Sequence, residues 1–164
     1  MDGMRDRLLQ LARNFPGLHL RELARQADTS LNLVQYHIQK LQDEGFLEIA
    51  LAGGKVRVFP PDLRAEDRTV LAILRDKPRL RITMHLLDGG AMSHGDLVRR
   101  VKMGKSTLSF HLRQMEDAGV VHTADEGYGL ANEQQVRVLL DRYPPTQDAV
   151  GRMAEVWEAV YGKS

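Results

Sequence analysis

Apolar residues recur three and four positions apart in the first part of the chain, which is the spacing of one buried helix face. The pattern predicts three helices, over Met4–Asn14, His19–Gln26 and Leu31 to about Glu44. The stretch Asp28-Thr29-Ser30 before the third helix consists of good N-caps, since the side-chain oxygens of Asp, Thr and Ser can accept an unpaired backbone N–H. Gly45 suits the left-handed residue that ends a helix. Three helices joined by short turns are therefore expected.

A hairpin is predicted after these helices. Phe46–Leu51 and Val56–Phe59 are rich in the residue types of strands. Gly53 and Gly54 lie between them and form a turn signal. The hairpin would end at Pro60 and Pro61.

The same pattern returns 74 residues later, without a gap, between residues 17–47 and 91–121. Leu23 aligns with Leu97, His37 with His111, and Gly45 with Gly119. The second copy predicts a first helix from about Arg79 to Gly89, a second capped by Ser93, and a third over Lys105–Ala118. Its hairpin is predicted at Val120–Thr123 and Tyr128–Ala131.

Further helices are predicted outside the two copies. They cover Leu63–Asp76, Glu133 to Arg142, and a last stretch from after Pro145 to about Tyr161. The resulting division is a first domain over 1–61, a linker helix over 62–77, a second domain over 78–131, and C-terminal helices over 132–164.

Helix, helix, turn, helix, hairpin is the element order of a winged helix-turn-helix domain. The predicted fold class is mainly α with small β-hairpins (α+β). It consists of two winged helix-turn-helix domains in tandem plus the C-terminal helices.

Particular residues in each copy resemble known families. The second copy resembles the ArsR-like (arsenical-resistance repressor) family of winged-helix regulators through Leu74–Asp76, Pro78–Ile82, Leu97, Lys105–Ser109, His111, Leu112, Met115 and Ala118–Val120. The first is similar to winged-helix units common in archaeal regulators, through Pro16, Gly17, Arg21–Ala24, Val34–His37, Leu41 and Gly45. The resemblance implies a DNA-binding repressor that is typically a homodimer, in several cases released by metal ions at Cys or His sites.

Composition narrows the function classes. With 23 Lys+Arg against 22 Asp+Glu, the surface is no uniform polycation, and contact with nucleic acid must come from a local basic patch. The chain has no cysteine, which excludes disulfides and thiolate metal sites. No long apolar run and no signal-peptide core are found, so we expect a cytoplasmic protein without a membrane span.

The third helix of each copy is the candidate reader of the DNA major groove, because its first turns present polar side chains to base edges. The candidates in the first copy are Ser30, Asn32, Gln35, Tyr36 and Gln39. Those in the second are Lys102, Lys105, Ser106, Thr107, Ser109 and Arg113. Ser, Thr and Asn at these places are also ordinary helix caps.

The two predicted wings differ in charge. The first carries Lys55 and Arg57, which we expect to reach a phosphate or the minor groove. The second carries Asp125 and Glu126, which would repel phosphate. The first copy has the better wing and the second the more basic helix region, so the choice of the reading copy stays open.

Signatures of catalysis and of metal binding are missing from the sequence. There is no Gly-rich phosphate loop, nucleophile elbow or paired carboxylate arrangement. Gly104-Lys105-Ser106 lacks the upstream glycine of a nucleotide-binding loop. His37 and His111, at matching places, are better explained by packing than as metal ligands. No enzyme, cofactor or metal site is expected.

The leading hypothesis is a sequence-specific, double-stranded DNA-binding transcription regulator. The alternative is a tandem winged-helix adaptor that docks on protein in a transcription or chromosome complex. The last predicted helix carries an apolar stripe of Val150, Met153, Trp157, Val160 and Tyr161. This stripe either covers the core of the second copy or forms a homodimer interface, which the resemblance favours. The target sequence, any small-molecule effector, and repression versus activation stay open.

Overall fold

The structure, a computed structural model, describes residues 3–125 and 127–162. The chain divides into two compact units, one formed by residues up to 72 with 141–144 and the other by residues 73–140 with the rest of the C-terminal part. Most described residues are helical, and the described strands form two antiparallel hairpins. The predicted fold class is confirmed.

The first unit contains three helices and a hairpin. Their bounds are α1 Gly3–Asn14, α2 Leu20–Ala27, α3 Leu31–Asp43, β1 Glu48–Ala52 and β2 Lys55–Phe59. The apolar stripes predicted from helical spacing meet in one core, in which Leu8, Leu23 and Ile38 are fully buried. Residues 17–19 run beside β2, with Val58 N donating to Leu18 O at 3.1 Å, so the hairpin is tied to the helices.

A connecting helix, α4, covers Ala65–Leu74. The later elements are α5 Lys77–Gly89, α6 His94–Val101, α7 Lys105–Asp117, β3 Val121–Ala124, β4 Gly127–Leu130, α8 Glu133–Arg142, α9 Gln147–Gly151 and α10 Ala154–Tyr161. The side chains of Leu80, Leu97 and Leu112, on three different helices, are buried in the core of the second unit.

The repeat seen in the sequence is also present in the backbone. Helices α2 and α6, and likewise α3 and α7, begin and end at a shift of 74 residues. Asp28 and Lys102, each ending the helix before the turn, both have a left-handed backbone, with φ of 54° and 58°. Gly45 and Gly119 follow the third helices with φ of 84° and 75°. The same turn geometry therefore recurs in both units.

Several boundaries differ from the prediction. The helix predicted over Leu63–Asp76 is shorter, and Pro78 lies in the first turn of α5 rather than before it. Proline is accepted there because the first helical N–H groups have no partner inside the helix. The prediction of a single last helix is wrong. The chain forms two helices there, α9 and α10, which are separated at Met153 because its φ of −135° is not helical.

Helix α10 packs against α5 within the second unit. Met153 and Val156 are buried there, while Trp157 and Tyr161 are half-buried with ring centroids 4.6 Å apart. Part of the C-terminal apolar stripe is therefore covered by the second unit itself, the first of the two roles that the sequence left open.

Candidate nucleic-acid interface

Helix α3 has one buried and one exposed face. Its buried residues are Val34, His37, Ile38 and Leu41. Its exposed polar residues include the predicted Asn32, Gln35, Tyr36 and Gln39. The division follows from the 3.6-residue period, since apolar contacts with α1 and α2 hold one side and leave the other to solvent.

Three of the candidates on or next to α3 already have partners within the unit. The hydroxyl of Ser30 accepts a hydrogen bond from Leu33 N at 3.2 Å, so it caps the helix. Gln39 Nε2 donates to Asp43 Oδ1 at 3.0 Å. The Tyr36 ring has Lys40 Nζ at 5.4 Å from its centroid, a cation–π contact that leaves 56% of the tyrosine exposed.

A groove of about 310 Å³ runs between the start of α2, the start of α3 and the first wing. We call it the first-unit groove; its lining residues are His19, Leu20, Arg21, Leu31, Gln35, Lys55 and Val56. The structure thus brings together Gln35 and Lys55, which the sequence had assigned to separate elements. The exposed Arg21 is an additional basic residue that sequence reasoning missed. Arg21 could have been found from its position, because it is a basic residue in the first turn of α2, two positions after the N-cap residue His19.

Two cations, Arg21 and Lys55, line the first-unit groove. Burial is the largest cause that lowers the pKa of His19, and Lys55 and Arg57 lower it further because they repel a protonated imidazole. His19 Nδ1 accepts a hydrogen bond from Glu22 N at 3.3 Å, which requires that this nitrogen carries no proton. A neutral imidazole flanked by cations is an environment that favours an anion such as a phosphate.

Arg57 does not take the position expected from the sequence, in which it would reach a phosphate or the minor groove. Its side chain is only 2% exposed. Nε donates to Ala52 O and Nη1 to Gly17 O, both at 2.8 Å. The guanidinium therefore holds the hairpin to the segment before α2, and it is not presented to a phosphate. Lys55, two residues earlier on β2, is exposed.

The first wing also exposes apolar side chains. Leu51 and Val56 are paired across the hairpin, and they are 76% and 45% exposed. Apolar atoms at such a tip can contact a thymine methyl or a deoxyribose, and they can equally contact a protein.

Helix α7 repeats the division of α3 in the second unit. Leu108, Leu112 and Met115 are buried. Its exposed candidates are Lys105, Ser106, Thr107, Ser109 and Arg113, and Lys102 is exposed in the turn before it. The hydroxyl of Ser109 is 2.9 Å from His94 Nε2, so it has a partner inside the unit.

The second wing keeps the predicted acidic character at Asp125, which is exposed. Glu126 lies outside the described residues. Thr123 on β3 donates its hydroxyl proton to a carboxylate oxygen of Glu116. The wing therefore carries acceptor groups where the first wing carries Lys55.

The two matching histidines have partners that suit packing. His37 is buried and makes an edge contact with Tyr36 at 5.2 Å between ring centroids. His111 Nδ1 accepts a hydrogen bond from Arg79 Nε at 3.2 Å. Burial lowers the pKa of His111, with Asp76 opposing and Arg79 reinforcing the effect. Among residues 3–125 and 127–162, no group of three or more His, Cys, Asp or Glu is placed to hold a metal ion.

Within the part of the chain that the structure describes, no helix is long and apolar enough to cross a membrane.

Two family models match the chain. Residues 76–123 match the model described as bacterial regulatory protein, arsR family. Residues 2–71 match a model described as an N-terminal HTH domain. The chain therefore carries two helix-turn-helix domains in tandem, the second of the ArsR type, and the resemblances predicted from sequence are confirmed. The regulator family matched by the second region supports DNA-binding transcription regulation.

A protein of Methanocaldococcus jannaschii, named as an uncharacterized HTH-type transcriptional regulator, is 23% identical over 112 residues. The match covers 68% of this chain and 28% of the length of that protein. The relative is thus similar over much of this chain but extends well beyond it.

Proposed function

We propose that this chain is a sequence-specific, double-stranded DNA-binding transcription regulator, with its two helix-turn-helix domains spanning residues 1–61 and 78–131. Helix α3 reads bases in the major groove, and the first wing contacts the backbone beside it.

The observation that carries the proposal is the first-unit groove. It places an amide side chain, Gln35, beside the two cations Arg21 and Lys55 on adjoining elements. Glutamine can bond adenine through two atoms, while the cations can neutralise flanking phosphates. Base reading and backbone positioning are therefore available on one surface.

The second unit supports the same function in a different way. Lys102 and Lys105 flank the start of α7, and Arg113 is exposed two turns later. These cations suit phosphate contact, and Arg113 also suits a guanine edge. The acidic Asp125 makes its wing a poor phosphate ligand. We therefore assign base reading first to α3 and backbone contact to the start of α7.

The testing experiment is selection of duplex DNA from a random library by the purified chain, followed by titration of the selected duplex against salt. We expect an enriched motif and an affinity that falls steeply as salt rises, since each neutralised phosphate releases counterions. If binding occurs without an enriched motif, sequence-specific reading is ruled out. If no duplex binds even at low salt, the whole proposal fails.

A protein-docking adaptor is the second candidate, and the exposed Leu51 and Val56 of the first wing favour it. In that case the wing docks on an apolar surface of another protein, and the chain shows little affinity for DNA at low salt. The same selection experiment therefore separates the two functions.

Three further expectations belong to this proposal. The first is a homodimer, for which the half-buried Trp157 and Tyr161 of α10 supply apolar surface. The second is a non-enzymatic role, supported by the regulator families that match both units. The third is action in the cytoplasm, supported by the bacterial regulator family that residues 76–123 match.

A further inference from the structure

The second unit contains a cleft of about 360 Å³ between α5, the end of α6 and the start of α10. We call it the α5–α10 cleft. No residue of α7 lines it, and Lys102, in the turn before α7, is the one lining residue that it shares with the surface assigned to DNA. Its volume lies in the range of sites for small molecules and exceeds what a bare inorganic ion fills.

Positive charge dominates the wall of this cleft. Arg81, Arg100, Lys102 and Arg152 line it, against the single carboxylate of Glu155. Asp88 offsets part of this charge, since its Oδ2 lies 3.5 Å from Arg100 Nη1. Arg81 is held in place because its Nη1 donates to Val101 O at 3.2 Å. Cations fixed around a concave surface form a site for an anion.

The first turn of α10 lines the same cleft, at Ala154, Glu155 and Val156. Its N-cap residue, Met153, provides no side-chain hydrogen bond to the first amides. The amide groups of a helix start point along the axis and carry partial positive charge, which adds to that of the arginines.

His85 lines the cleft as well, and its Nδ1 is buried without a hydrogen-bond partner among the described residues. Burial is the largest cause that lowers the pKa of His85, and Arg100 lowers it further, so near neutral pH the imidazole adds no charge to the cleft. The positive charge of the cleft therefore comes from its arginines and lysine.

The remaining wall is apolar. Val101, Met153 and the side chains of Ala154 and Val156 contribute it, and Met153 and Val156 are buried. A ligand that satisfies the whole surface therefore has an anionic group and an apolar body.

We propose that the α5–α10 cleft binds a small organic anion, a carboxylate or phosphate group carried on an apolar body. The anionic group lies between Arg152, Lys102 and the start of α10, and the apolar body lies against Val101 and Met153. The site is argued from the second unit alone and does not depend on the proposed DNA binding.

The experiment is calorimetric titration of the intact chain, without DNA, with four probes: benzoate, phenyl phosphate, inorganic phosphate and the neutral benzamide. We expect saturable binding of benzoate or phenyl phosphate with a dissociation constant of about 1 mM, as befits such small molecules. Benzamide tests the need for charge, and inorganic phosphate tests the need for the apolar body; both should bind much more weakly.

Three variants locate the site. Arg152→Gln removes an exposed cation of the cleft. Arg99→Gln removes an exposed cation of α6 that is not among the lining residues. We expect about tenfold weaker binding for Arg152→Gln, as for the loss of one charge-assisted bond, and no change for Arg99→Gln. Lys102→Gln serves as a second cleft variant with the same expectation as Arg152→Gln.

The proposal is overturned if none of the anionic probes saturates, or if Arg152→Gln and Arg99→Gln weaken binding equally, which would mean diffuse attraction to surface charge. It is also overturned if benzamide binds as well as benzoate. Because no DNA is present, failure here leaves the proposed regulator untouched, and failure of the DNA selection leaves this site untouched.

Discussion

Lys55 and Arg57 lie on one face of β2, two positions apart, and have different roles because only one of them is covered. The segment at residues 17–19 runs along β2 and encloses Arg57, whose guanidinium satisfies two backbone carbonyls. Lys55 lies at the open end of the hairpin and borders the first-unit groove. A cation near a wing thus stabilises the fold or contacts DNA according to what packs over it.

The first prediction concerns this pair. Arg57→Met should lower the free energy of unfolding by about 3 kcal/mol, since it leaves the buried carbonyl of Gly17 and the partly buried carbonyl of Ala52 without this donor. Lys55→Gln should leave stability unchanged and weaken DNA binding with a smaller salt dependence. Chemical denaturation and salt titration measure the two effects. Equal stability of both variants would contradict the structural role of Arg57.

A second prediction concerns Gln35 on α3. Gln35→Ala should weaken binding to the selected motif about tenfold while leaving affinity for unrelated duplex nearly unchanged, because an amide bonds to a base edge and not to the backbone. Gln134→Ala, an exposed glutamine on α8, is the matched control. Should both variants bind the motif equally well, α3 is not the reading helix.

At the scale of elements, the third helices both end at a glycine with a positive φ. At Gly45 an added Cβ would meet no atom within 4 Å. The positive φ of the backbone is therefore the reason that a side chain is unfavourable there. A left-handed conformation costs an ordinary residue about 1 kcal/mol. The helix ends are therefore set by the residue type, as the sequence predicted.

The third prediction follows from this geometry. Gly45→Ala should lower the free energy of unfolding by about 1 kcal/mol. Gly151→Ala in α9, which also has free space but no positive φ, should leave stability equal or slightly raised. Thermal unfolding compares the two variants. Equal effects would show that backbone strain does not explain the requirement at residue 45.

The C-terminal helices were predicted with the wrong bounds, because tertiary contacts determine where the backbone turns there. The apolar spacing after Pro145 fits one continuous helix, but the backbone turns at Met153. This break lets Met153 become buried while α10 packs along α5. Helical period alone does not report such a break, because the same residues are apolar in either arrangement.

At the scale of the whole molecule, histidines in both units make stability depend on pH. The pKa values of His19, His85 and His111 are all lowered from 6.5, with burial as the largest cause. The unfolded chain therefore takes up protons at a higher pH than the folded one. Stability is fully present above the unfolded pKa and is lost as pH falls through the lowered folded values.

The fourth prediction tests this linkage. The free energy of unfolding should fall between about pH 7.5 and about pH 5.5, a window above the usual carboxyl titration. His19→Asn should reduce the fall, since asparagine keeps a helix cap but does not titrate, while Lys55, Arg57, Arg21 and Glu22 around it are unchanged. A flat profile in the original chain would contradict the expected sign.

The fifth prediction is the proposed homodimer. Sedimentation equilibrium should give twice the chain mass of 18.5 kDa. Trp157→Ala should shift the equilibrium toward the single chain, because a half-buried aromatic surface is lost from α10. A mass of one chain at every concentration would remove the homodimer, and α10 would then serve the second unit alone.

The sequence by itself determined what depends on local order: the helix faces, the caps at Ser30 and Ser93, the glycine helix ends, and the repeat at a shift of 74. These follow from the helical period and from residue type, which can be read along the chain without knowing what packs against it. Only the tertiary structure decided that Arg57 is buried, that Arg21 joins Gln35 and Lys55, and that the α5–α10 cleft exists. The physical reason is that burial and electrostatic environment depend on residues distant in sequence, and only packing brings those together.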